Sequence, residues 1–158
     1  MLPPVPSRAL SCALVLLSSV LLSLSCTAPE PATDPRSALT WRLLGKLDAE
    51  TGYQPPDVAA LQGKQVVIAG FIVPLEDDAS QSTEFLLVPY VGACIHLPPP
   101  PPDQMIHVTM ATGAVPVTLT EAIVLEGELT IAPVDSPYGK VAYSIKGQST
   151  KRWAGGGS

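Results

Sequence analysis

The sequence predicts a mainly β domain, and three observations carry that expectation. No stretch after Gly63 holds a helical period, five runs rich in Val, Ile and other apolar residues follow one another, and the first and fourth of these are interrupted by glycine. The first run, Gln65–Leu75 (QVVIAGFIVPL), is apolar on both alternating faces, which marks a buried strand; Gly70 in its middle lets one strand bend and serve two sheets. Glu76–Ser82 is a polar connection to the second strand, Glu84–Val88 (EFLLV), and Met105–Met110 (MIHVTM) is the third. Pro116–Leu119 adds a short segment. Glu121–Ile131 (EAIVLEGELTI) is a long strand broken by Gly127. In the last, Lys140–Lys146 (KVAYSIK), Val141, Tyr143 and Ile145 alternate with Ala142, Ser144 and Lys146, so one face is core and the other water. Five strands with two glycine bends point to a small five-stranded OB-like barrel; an SH3-like barrel or a small sandwich shares the pattern.

A short N-terminal helical lead-in precedes the strands. Leu39, Leu43 and Leu47 recur at spacing four, with Trp41 and Leu44 nearby, as in an amphipathic helix packed on a core. After Pro55-Pro56, Asp57 and Gly63 bracket Val58–Leu61 as start and stop signals of about one more turn.

Upstream, Arg8 is followed by the uncharged run Ala9–Leu24, shorter than the roughly 20 residues that span a bilayer, and the run ends at Ser25-Cys26. Leu22-Ser23-Leu24-Ser25-Cys26 resembles a bacterial lipobox with its leucine one place off, in which Cys26 is acylated; an uncleaved signal anchor is the alternative. Either delivers the remainder outside the cytoplasm. Thr27 after the cysteine, by resemblance to Gram-negative lipoproteins, favours the outer membrane. The organisation expected is a lipoprotein-type signal peptide over 1–25, a lipid-anchored Pro-rich tether over 26–38, one barrel domain over 39–148 and a flexible tail over 149–158. The 12 residues from Thr27 to Ala38 would reach roughly 35 Å in an extended polyproline conformation.

The chain is 158 residues, one domain's worth, with 9 Lys+Arg against 14 Asp+Glu and a net charge of −5. Its largest basic cluster is Lys151-Arg152, so the electrostatic footprint of a nucleic-acid binder is missing. Of three cysteines, Cys12 leaves with the signal and Cys26 carries lipid, which leaves Cys94 without an intramolecular disulfide partner. A lone thiol in an oxidising compartment is buried and inert, bound to metal, or redox-active.

The unusual segment is Pro89–His107 (PYVGACIHLPPPPPDQMIH), which holds Cys94, both histidines of the chain and five consecutive prolines. On an extended strand Cys94 and His96 share a face about 6.5 Å apart. If strands flanking the prolines pair antiparallel with His96 opposite Asp103, Cys94 faces Met105, Gly92 faces His107, and the donors gather on one side. Cys94, His96 and His107, completed by Asp103, Glu84 or water, could hold zinc; Met105 and Met110 make Cu(I) the other metal. Two other readings stand beside this. Cys94 is a small buried hydrophobe and His96 bonds backbone, or Cys94 is an attacking thiol activated by His96. Pro98, Pro99, Pro100, Pro101 and Pro102 form a stiff rod, either a rigid spacer or a partner-binding loop.

Hydrolase readings fail, since there is no Gly-x-Ser-x-Gly elbow and a Cys94–His96 pair two apart on one strand points in parallel. Glu76-Asp77-Asp78 lacks calcium-loop spacing.

Leu61-Gln-Gly-Lys64 leading to Leu75, Phe85–Tyr90, Gly92-Ala-Cys-Ile-His96, Pro98–Pro102, Gln104, Val124–Leu129 and Tyr143 together resemble the bacterial domain of unknown function 3299. The likeness runs from about Trp41 to Tyr143. It implies a secreted or lipid-anchored protein in a periplasmic accessory role, some members being encoded beside zinc-responsive or ABC-transport genes, with no established reaction. Asp103 stands where this family more usually has Asn. The expectation is an envelope lipoprotein that binds without catalysing, with an envelope transporter component as partner, no nucleic acid, and zinc or copper as the ion if it holds one; the alternatives are a thiol-redox protein using Cys94 and a purely structural interaction barrel.

Overall fold

The computed structural model describes residues 37–76, 80–92 and 99–154. β1 (Ser37–Ala38) is followed by two single-turn helices, α1 (Trp41–Leu44) and α2 (Pro56–Ala59). The strands are β2 (Gln65–Pro74), β3 (Gln81–Ser82), β4 (Glu84–Val88), β5 (Ile106–Met110), β6 (Val115–Pro116), β7 (Ala122–Ser136) and β8 (Gly139–Arg152). A 3₁₀ turn, Pro102–Gln104, leads into β5. No helix among the described residues is long and apolar enough to cross a membrane.

The sheet order β1-β2-β4-β5-β8-β7, with β2 also paired to β7, closes five strands into a ring, the OB-like arrangement expected, although the closure is uneven. β5 and β8 run parallel and the other neighbours in the ring antiparallel. The bend at Gly70 does what the sequence suggested: β2 pairs with β7 from Gln65 to Phe71 and with β4 from Phe71 to Pro74. A Cβ at residue 70 would lie 2.8 Å from the Val88 carbonyl oxygen and 2.8 Å from Leu87 Cγ, so only glycine allows this crossover. At the other bend the register shifts between Glu126 and Gly127, and a Cβ on Gly127 would meet backbone of β8.

The core inside the ring includes Ile68, Ile72, Phe85, Leu87, Ile106, Val108, Leu125, Leu129, Tyr143 and Ile145. Leu44 of α1 and Val58 of α2, both wholly buried, join it, as do Leu39 and Leu47, so the lead-in is part of the core. Thr40 caps α1 by accepting from the Leu43 amide at 3.3 Å. Pro56 occupies the first position of α2, where its missing N–H costs nothing.

Several boundaries differ from expectation. Ser37 and Ala38, placed in the tether, pair with Val66 and Val67. The fourth and fifth strands are longer at their shared end, because β7 continues to Ser136 through Pro133. β8 also runs past Lys146: Lys151 pairs with Val124, Arg152 with Ile123, and the Trp153 amide donates to the Ala122 carbonyl at 3.0 Å. Residues 149–152, expected in a free tail, are therefore sheet. The short segment at 116 begins one residue earlier and pairs β6 with β3 as a separate two-stranded sheet.

Candidate functional site

β4 stops at Val88 because Pro89 has no N–H to continue the ladder. A turn at Tyr90–Gly92 follows, with Gly92 at φ +76 and Tyr90 and Val91 exposed. Cys94, His96 and Pro98 lie outside the described residues. The chain is described again from Pro99, which is exposed, while Pro100 is buried. Pro101 is extended at φ −62, ψ 157, and its carbonyl accepts the Gln104 amide at 2.8 Å to form the 3₁₀ turn.

The observed register corrects the one assumed from sequence. Leu86 lies opposite His107 and Leu87 opposite Ile106, so Gly92 does not face His107. The pairing ends before the cysteine segment begins. Met105 precedes β5 and is 2 % exposed, held in a second apolar cluster with Val73, Leu86, Val88 and Val141. Met110 is buried in the main core.

His107 and Glu84 come together instead. In register, Glu84 lies opposite Thr109 and His107 opposite Leu86, so the two share one face of the β4–β5 pair, and His107 Nε2 lies 2.8 Å from Glu84 Oε1. Asp103 has different surroundings, against Gly45 of the α1 end. Among the described residues no three His, Cys, Asp or Glu side chains cluster as metal ligands do.

The prolines' C-terminal end is fastened to α1. Gln104 Nε2 donates to the Trp41 carbonyl at 3.1 Å, and Trp41 Nε1 donates to the Ala69 carbonyl at 2.7 Å. Tyr143, wholly buried, donates its hydroxyl to the Leu44 carbonyl at 2.7 Å. Burial pushes the Tyr143 phenol above its ordinary value, and the nearby Asp103 charge adds to that. Two carbonyls of one short helix are thus answered by side chains from the 3₁₀ turn and from β8. Sequence reasoning placed Trp41 in the core but saw no role for Gln104. Beside this joint, Leu47, Pro102, Pro133, Val141 and Ala142 border a cleft of about 290 Å³.

A family model described as a protein of unknown function, DUF3299, matches residues 45–152, the stretch that makes the ring and the α1-anchored turn. The chain belongs to the DUF3299 family. Its DUF3299 domain is also similar to a solved structure, the crystal structure of a DUF3299 family protein from Pseudomonas aeruginosa PAO1 at 2.45 Å resolution. The two chains are 32% identical over 78% of this chain and 87% of that one, with a TM-score of 0.55. No curated protein matches this chain.

Proposed function

We propose that this protein is an envelope lipoprotein, anchored through Cys26, whose DUF3299 domain is a non-catalytic binding module that presents the β4–β5 connection to an ion or to an envelope transport component. The single observation that carries the reading is that the connection holding Cys94, His96 and the five prolines is bound to the fold at its C-terminal end by Gln104 and by the buried Pro100.

The ion reading assigns Cys94 and His96 as ligands, with His107 and Asp103 as candidates to complete the set, and thiolate plus imidazole suits zinc or Cu(I). His107 would have to exchange its Glu84 contact for the metal or keep that carboxylate as an orienting partner.

Alkylation of the purified full chain, with and without zinc or Cu(I), read at Cys94 by peptide mass spectrometry, tests it. Protection by metal is expected, and equal labelling in both conditions removes the ion reading. Mass spectrometry of the native N-terminus tests the anchor: a diacylglyceryl group on Cys26 as first residue is expected, and an unmodified or uncleaved terminus overturns it.

A further inference from the structure

We infer that the free edge of β8 at Gln148–Arg152 pairs with the same edge of a second copy of this chain, antiparallel and centred on Thr150, to make a weak two-fold dimer. The inference goes beyond the proposed binding role and does not depend on it.

β8 has neighbours on both sides up to Gly147 and on one side beyond it. It runs between β7 and β5 until Met110 of β5 lies opposite Gly147. There the chain of β5 turns away through Gly113 at φ +112, while β7 stays paired with β8 as far as Arg152. Among the described residues no strand takes the side that β5 has left. The Trp153 amide donates to the Ala122 carbonyl at 3.0 Å, so Trp153, Lys151 and Ser149 turn their backbone groups toward β7, and by alternation Thr150 and Arg152 turn theirs to the open side. A groove of about 240 Å³ lies between this end of β8 and Pro116 and Thr118, which keeps the chain's own nearby segment off the edge. The Thr112 hydroxyl donates to the Gln148 carbonyl at 3.2 Å and leaves that oxygen a second lone pair. Unpaired backbone of this kind is a template for one more strand.

Length and charge select which strand. The open stretch runs from Gln148 to Arg152, so its midpoint is Thr150. An antiparallel copy centred there sets Thr150 against Thr150, Ser149 against Lys151 and Gln148 against Arg152. Each cation then meets a neutral polar side chain, and two threonines make a favourable cross-strand pair. A slip of one hydrogen-bonding step in one direction puts Lys151 against Lys151. In the other direction it puts Arg152 against Lys146, where β5 already holds the edge. Like charges directly opposite are destabilising, so the basic pair that protects this edge from indiscriminate strand addition leaves one self-complementary register. Arg152 is also answered within its own chain by Glu121 at 3.0 Å. The contact is isologous, so it closes at two copies. It is also small, and the association is therefore weak.

The experiment uses the full chain in mild detergent with oxidised glutathione, and reads each disulfide by peptide mass spectrometry so that links through the native cysteines are told apart. Thr150→Cys is expected to form a 150–150 disulfide about tenfold faster than Ser149→Cys forms a 149–149 one, although both positions are half-buried, because only residue 150 faces itself. Adding Arg152→Pro to Thr150→Cys removes an outward N–H that the β7 ladder does not use. The 150–150 link is expected to slow about tenfold, two symmetry-related hydrogen bonds being lost, with amide exchange along β7 unchanged. In the wild type, exchange at the Thr150 and Arg152 amides is expected to slow as protein concentration rises, and exchange at Ser149 and Lys151, already in the ladder, is not. Equal rates for the two cysteine variants overturn the register. A 150–150 rate untouched by Arg152→Pro shows collision without strand pairing and overturns the dimer. If Arg152→Pro loosens the end of β8, seen as faster exchange at Lys151 and Trp153, the wild-type concentration series decides: Thr150 and Arg152 amides indifferent to concentration overturn self-pairing.

Discussion

β4 buries side chains on both of its faces, and the two faces are closed in different ways. Phe85 and Leu87 point into the ring, where continuous strands and the α1–α2 lead-in surround them. Leu86 and Val88 point outward into the smaller cluster, which Phe71, Leu75 and Tyr138 border. All four are wholly buried. The inner cluster is sealed by Tyr143, whose hydroxyl reaches the Leu44 carbonyl at 2.7 Å, while the outer one is flanked by Tyr138, bonded to the Pro74 carbonyl at 3.4 Å. Equal burial therefore hides unequal closure: the inner face is held by the ring, the outer by a hairpin end packed across it.

Truncation on either face measures that difference. Leu87→Ala should cost about 4 kcal/mol and Leu86→Ala about 2–3 kcal/mol, the outer site being freer to collapse around the missing atoms. Urea unfolding of both variants checks this. Equal losses would mean that the outer cluster is as rigid a core as the inner one.

The ring's closure is tested at Gly127. Its added methyl would stand 2.4 Å from the Lys146 carbonyl oxygen, 2.6 Å from Ile145 Cγ2 and 3.0 Å from Gly147 Cα, and backbone in a paired strand cannot step aside cheaply. Gly127→Ala should cost about 3 kcal/mol, with amide exchange rising along β7 and β8 and sparing the β4–β5 pair. A near-neutral effect would show that the bulge can absorb a side chain.

The two faces also explain what the sequence made legible. The run EFLLV does not alternate, and a strand without alternation is buried on both sides; the glycine breaks at Gly70 and Gly127 pointed to a closed ring. The end of β8 was obscured because Gln148–Arg152 is polar, yet Ser149–Arg152 pair along β7 beyond the register shift. The register opposite His107 was missed because pairing was assumed to run up to the prolines, with His96 opposite Asp103, whereas β4 stops at Val88 before Pro89, which cannot donate to the ladder. Nothing in periodicity shows that Glu84 meets His107, since cross-strand neighbours depend on a register that the intervening 17 residues do not fix. Gln104 was hidden for another reason: its bond to Trp41 spans 63 positions, and a lone glutamine after prolines has no spacing to signal it.

The inner tyrosine should matter more than the outer one. Tyr143→Phe leaves the Leu44 carbonyl without its buried donor and should cost about 2 kcal/mol. A pH signature accompanies it. The folded-state phenol titrates above its unfolded value near 10, so below that pH the contribution is fully present. Above it the unfolded chain loses its proton first, and stability falls by about 1.4 kcal/mol per pH unit. Denaturation of wild type and Tyr143→Phe between pH 9 and 12 should therefore converge as pH rises. Parallel curves would place Tyr143 in a more solvated setting than its full burial indicates.

Tyr138 is the weakest test and the most specific to the outer face. Its bond is long for a hydroxyl donor, and its amide is already held by Ser136 Oγ at 3.2 Å within the turn. Removing the hydroxyl while keeping the ring in Tyr138→Phe should cost under about 1 kcal/mol, with exchange rising at the β7–β8 turn and nowhere in the ring. The aromatic carbons of Tyr138 pack against the outer cluster, so the loss in Tyr138→Ala should clearly exceed that in Tyr138→Phe by urea midpoint, and exchange should rise in β4 as well. If the two variants lose the same stability, the hydroxyl rather than apolar cover holds the hairpin end down, and the outer cluster is closed by one polar contact as the inner one is at Tyr143.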